Sequence, residues 1–168
     1  MSPYIVYFNN IHSILRYFLL IFTLIVVVQS LMGMLGKKEF AKTNRKMALF
    51  MMISCDLQLL AGLAVYYFNG HILMLKKGMA FETHASRFYT IEHPIGMILA
   101  IVLVHMGYNV TKKIIDSAPK FKRLFWFSFI ALVIFIAQTP WPGKKDVGRP
   151  LFPSMSSVST TTTAASKG

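Results

Sequence analysis

Four long apolar blocks dominate the chain, and each approaches the ~20 residues that a helix needs to cross a ~30 Å hydrocarbon layer. They run over about 11–35, 47–68, 89–108 and 124–139 of a 168-residue sequence. With 55% hydrophobic and only 14% charged residues, the chain lacks the balance of a soluble surface. The expected fold class is all-α: a polytopic membrane four-helix bundle with up-down-up-down topology. Nothing alternates with period two over successive short segments, which argues against a transmembrane barrel. Gly36 with Lys37-Lys38 closes the first block, and Asn69-Gly70 closes the second. The N-terminus lacks the basic region and small-residue cleavage site of a signal peptide, so the first block is expected to stay as a span.

The net charge of +12 would suit nucleic acid, but its distribution points elsewhere. Lys37, Lys38, Lys42, Arg45 and Lys46 fall in one connector, and Lys112, Lys113, Lys120, Lys122 and Arg123 in another. Ten of 18 basic residues thus lie on one side, which the positive-inside rule assigns to the cytoplasm. The expectation is a multi-pass protein of a bacterial inner (cytoplasmic) membrane, with both termini periplasmic and no nucleic-acid partner. Residues 143–168 form an outward-facing tail. Its Ser154–Ser166 stretch, almost entirely Ser, Thr and Ala, cannot order itself by burying apolar area, so it is free or lies along a partner.

Polar groups inside the spans are the informative ones, because each costs roughly 2.5–3.5 kcal/mol in hydrocarbon. His12 and Arg16 share a helix face near the outer end of the first span. Glu92 and His93 stand near the outer end of the third. Arg16 and Glu92 are expected to neutralise each other while both imidazoles point into one part of the bundle. In an up-down-up-down bundle these two spans are diagonal and run the same way, so their outer ends can meet across the core. Counting from Gly36 and Tyr108 nevertheless sets His12 roughly 36 Å up its helix and His93 roughly 22 Å up its own. Asp56 falls near mid-membrane, protonated or paired with Gln58, Ser54 or a residue on a neighbouring helix. His105 lies ~18 Å deeper than His93 and ~120° round the helix, too far to share its site.

Cys55 is the single cysteine, so there is no CxxC pair and no CxxCH attachment site for a covalent haem. Redox chemistry, if present, needs a non-covalent cofactor. His12 and His93 are candidate metal ligands, as axial imidazoles to a haem b between helices. The plainer reading is two interfacial histidines bonded to backbone or water. Gly96 and Ala100 form a small-xxx-small pair suited to close helix packing. Trp126 and Trp141, with Tyr4, Tyr7 and Tyr89, read as interfacial anchors. His71, His84 and Glu82 are expected as solvated connector residues. No nucleophile elbow, phosphate-binding glycine loop or HExxH occurs, so no catalytic residue is assigned.

The runs Ile11-His12-Ser13-Ile14-Leu15-Arg16-Tyr17, Asp56-Leu57-Gln58-Leu59-Leu60-Ala61-Gly62-Leu63, Arg87-Phe88-Tyr89-Thr90-Ile91-Glu92-His93-Pro94 and Pro140-Trp141-Pro142 resemble small four-span membrane proteins of Bacteroidetes commonly labelled cytochrome B. The resemblance covers nearly the whole chain up to Pro142. It implies a haem-containing electron-transfer subunit of the inner membrane with His12 and His93 as candidate ligands. It also implies histidine where this chain has Asp56, a departure that removes a ligand from the second span. The leading expectation is therefore a b-type cytochrome-like subunit carrying electrons within a larger membrane complex, with quinone as a further partner. In that reading Arg87 meets a propionate, while Arg16 and Glu92 pair behind the ligands. The alternative is a non-catalytic accessory or scaffolding subunit without its own haem. A proton route through Asp56, His105 and the outer cluster has no continuous sequence signature.

Overall fold

The structure, a computed structural model, describes residues 3–152, and no strand occurs among them. The elements are α1 (Pro3–Leu35), α2 (Lys42–Phe68), α3 (His71–Lys76), a 3₁₀ turn (Met79–Phe81), α4 (His84–Arg87), a π turn (Phe88–Glu92), α5 (His93–Val110) and α6 (Ser117–Gln138). Four helical stretches are long and apolar enough to cross a membrane, the third running without a break from His84 to Val110. The helices pack in the ring order α1–α2–α5–α6, so α1 and α5 lie on one diagonal.

Several boundaries differ from the hydropathy reading. α1 already includes Tyr4–Asn10, ahead of the apolar block, because that stretch contains no helix breaker. The third span starts at His84, where Thr83 caps it by accepting from the Ser86 amide, rather than at Tyr89. α5 runs to Val110, which sets His93 about 26 Å from its inner end and shrinks the expected depth offset from His12. The 69–88 connector is ordered by Gly70 and Gly78, both in the left-handed region.

Leu19, Val26, Met51, Val104, Leu124 and Phe135 form the centre of the core, with Cys55 buried among them. Buried hydroxyls are satisfied within their own helices: Thr23 and Thr139 donate to the carbonyls of Leu19 and Phe135, each at 2.7 Å. Gly33 lets α1 receive the Phe121 ring of α6, and Gly96 lets α5 approach the Gln138 side chain. The outer surface carries Phe18, Ile21, Leu24, Leu60, Ile98 and Val133, all exposed. A bundle apolar on both faces is what lipid as solvent demands.

After α6 the chain turns back over one end of the bundle. The Arg149 amide donates to Pro140 O, Val147 is buried, and Tyr89 donates its hydroxyl to Val147 O. The segment reaches α1, where Arg16 and Tyr17 both donate to Leu151 O. The expected Ser/Thr-rich tail from Ser154 lies outside the described residues.

Candidate functional site

A cavity of about 340 Å³ opens at the end of the bundle crossed by this returning segment. Leu19, Leu59, Met97, Ile101 and Phe135 give it an apolar wall. His12 and Arg16 enter from α1, Gln58 from α2, His71 from α3, His93 from α5, and Arg149 from the returning segment. Its size lies at the lower end of the ~300–1,000 Å³ usual for ligand sites.

His12 and His93 stand across this space with ring centres 6.3 Å apart and planes at 75°. His93 Nδ1 lies 2.9 Å from Gln138 O. A carbonyl can only accept, so that nitrogen carries the proton and Nε2 keeps its lone pair. Holding one ring nitrogen on a carbonyl is how proteins fix the tautomer of a metal-binding imidazole. His12 Nε2 sits 3.3 Å from Gln58 Nε2, whose amide donates to it. The His12 ring lies flush against α2 because Gly62 leaves the room: a Cβ there would come within 3.2 Å of His12 Cε1.

Unpaired polar atoms gather at the same place. Among the described residues four buried side-chain nitrogens or oxygens lack a partner, and three of them, His12 Nδ1, Arg16 Nε and Gln58 Oε1, belong to cavity residues. Buried polar groups are ordinarily bonded, so a water, an ion or another polar group would satisfy these atoms. Two guanidiniums face it without a carboxylate on either. Arg16 donates to Tyr17 and Leu151 O, and Arg149 donates to Tyr89 (3.0 Å) and Asn9 (3.4 Å).

The expected Arg16–Glu92 pair is not formed. Glu92 instead accepts from Arg87, Nε to Oε1 at 2.6 Å, with both side chains partly exposed and neither lining the cavity. The π turn explains the exchange, since i→i+5 bonding stacks residues five apart on one face. Arg87 therefore does not point at the cavity, and Arg149 occupies the cationic position that the sequence reading gave it. Nothing periodic in Gly148-Arg149-Pro150 signals that role. His71 also leaves its expected solvated position. Its Nδ1 lies 3.3 Å from Thr90 Oγ1, and its ring stacks over Tyr89. Burial, aided by the Arg149 charge, pushes its pKa below the usual histidine value. His84 stays at the surface, 3.7 Å from Asp146. Asp56 pairs with His105 of α5 at 3.3 Å, away from the cavity.

His12 and His93 supply imidazole nitrogens of the kind that a haem iron accepts. Among the described residues no group of three or more His, Cys, Asp or Glu is placed to hold a metal ion. The two guanidiniums without carboxylates suit a pair of acidic substituents. For His12 to ligate, the Gln58 amide must turn aside, and that bond is already long and leaves Gln58 Oε1 unpaired. No family model matches the chain, nor does any curated protein or solved structure.

Proposed function

We propose that this protein is a b-type cytochrome-like subunit that carries electrons within a larger membrane complex. His12 and His93 would hold a haem b through their ring nitrogens. The group supplies one-electron oxidation and reduction when bound. The chain's own residues prepare its place. Gln138 O holds His93 in the tautomer with a free Nε2, and Gly62 gives His12 its position beside α2. Leu59, Met97, Ile101 and Phe135 would give the group an apolar surround. Arg16 and Arg149 offer charge-assisted hydrogen bonds to carboxylates at the outer mouth. The ten basic residues in two connectors at the opposite end support a bacterial inner-membrane orientation with the cavity on the periplasmic side. Quinone is the further partner of this reading, because it reaches such a subunit through the bilayer.

One observation carries the reading: two imidazoles 6.3 Å apart in an apolar cavity where three buried polar atoms lack partners. The test is optical spectroscopy of protein purified from a haem-sufficient host. Reduced-minus-oxidised Soret and α bands are expected in the parent and lost in His93→Ala and His12→Ala. Colourless parent protein that co-purifies stoichiometrically with a membrane assembly would overturn the haem and leave the accessory-subunit reading.

A further inference from the structure

A second polar pair lies at the seam between α2 and α5. His105 Nε2 stands 3.3 Å from Asp56 Oδ1, with side chains 40% and 45% exposed on the bundle's outer face. Leu60 and Val102, one turn from the pair on the same two helices, are exposed apolar neighbours outside the cavity, so this face meets hydrocarbon. The second bond of the imidazole fixes its chemistry. Nδ1 lies 3.0 Å from Ile101 O and, facing a carbonyl, carries a proton. Nε2 and the carboxyl oxygen then attract only with one further proton between them, whether drawn as a carboxylic acid beside neutral imidazole or as a carboxylate beside imidazolium. His105 stands five residues, about 7.5 Å, from the inner end of α5. Exposed Asn109, one turn on, lies along the same helix face toward the basic connectors. In the other direction Leu59, Leu63, Ile98 and Ile101 line the cavity.

We infer that Asp56 and His105 form a proton-exchanging site inside the membrane, reached from water at the basic end of the bundle past Asn109. The step is protonation alone. A proton from water joins the carboxylate and neutral imidazole to give the form that holds one proton between Oδ1 and Nε2, and release reverses it; no electron moves. Few other titratable groups face the pair. α2 adds the buried thiol of Cys55 and α5 the buried phenol of Tyr108. α1 has no ionisable residue between Tyr17 and Lys37, and α6 has none between Arg123 and Gln138. The site does not depend on a cofactor in the cavity.

The test is infrared spectroscopy of the full chain in phosphatidylcholine–phosphatidylglycerol vesicles, with carboxyl-¹³C aspartate. Asp56, Asp116 and Asp146 are the only aspartates, and the latter two are exposed. Removing them in Asp116→Asn/Asp146→Asn assigns the remaining signal without touching the site. The expected result is a protonated-carboxyl band that titrates with pH, is lost in Asp56→Asn and shifts its midpoint in His105→Asn. Deuterium exchange of that band should slow in Asn109→Leu while its amplitude holds. A band from Asp56 that never changes with pH, or that titrates identically in His105→Asn, would overturn the site. Unchanged exchange in Asn109→Leu would overturn the route.

Discussion

Glu92 separates the geometry described above from the pairing that residue spacing suggests. Its partner is Arg87 at 2.6 Å, with side chains 50% and 39% exposed. Two unit charges at that separation attract by roughly 1.6 kcal/mol in water. Ordering two long side chains and salt screening consume most of it, leaving a coupling of about 0.2–1 kcal/mol. Had Glu92 been the buried partner of Arg16, its removal would strand a guanidinium and cost about 3–5 kcal/mol. A double-mutant cycle with Arg87→Gln and Glu92→Gln, measured by reversible unfolding in mixed micelles, reads the difference. The coupling should stay below about 1 kcal/mol, and Glu92→Gln should leave any cavity-bound chromophore in place. A loss of about 3 kcal/mol or more from Glu92→Gln alone would refute the assignment and return the carboxylate to the cavity.

The close helix approaches give a second contrast. A Cβ at Gly33 would collide with the ring of Phe121, which is fully buried, so Gly33→Ala should cost about 1–3 kcal/mol. For Gly96→Ala the nearest atoms belong to the Gln138 side chain, which can swing away, so the change should cost less in the same unfolding assay. His71 supplies a pH signature. Its pKa is lowered in the fold, so the unfolded chain binds the extra proton as pH falls below the ordinary value of 6.5. The stability it contributes is complete above that pH and drains away below it, and His71→Gln should flatten that part of a melting-temperature profile against pH.

The class of fold was legible because lipid imposes it: four blocks of near-bilayer length admit few arrangements, and short connectors make neighbours antiparallel. The approach of His12 to His93 followed from the same topology, since diagonal helices bring like ends together. What the residues could not announce was local winding. The π turn at Phe88–Glu92 redirects Glu92 to Arg87, and no composition rule marks where a helix takes an extra residue per turn. The returning segment was equally opaque, because Arg149 and Leu151 gain their roles from a path with no periodicity. Asp56 and His105 showed the opposite limit. Their depth was readable, but their meeting depends on the angular register of two helices, which a few degrees of rotation decide.

The proposed function places a metal-centred ring between His12 and His93. Its most direct test is the haem-to-protein ratio of chain purified from native membranes, measured against amino-acid analysis. One haem b per chain is the predicted result. A ratio near zero in protein whose helices remain folded would contradict it.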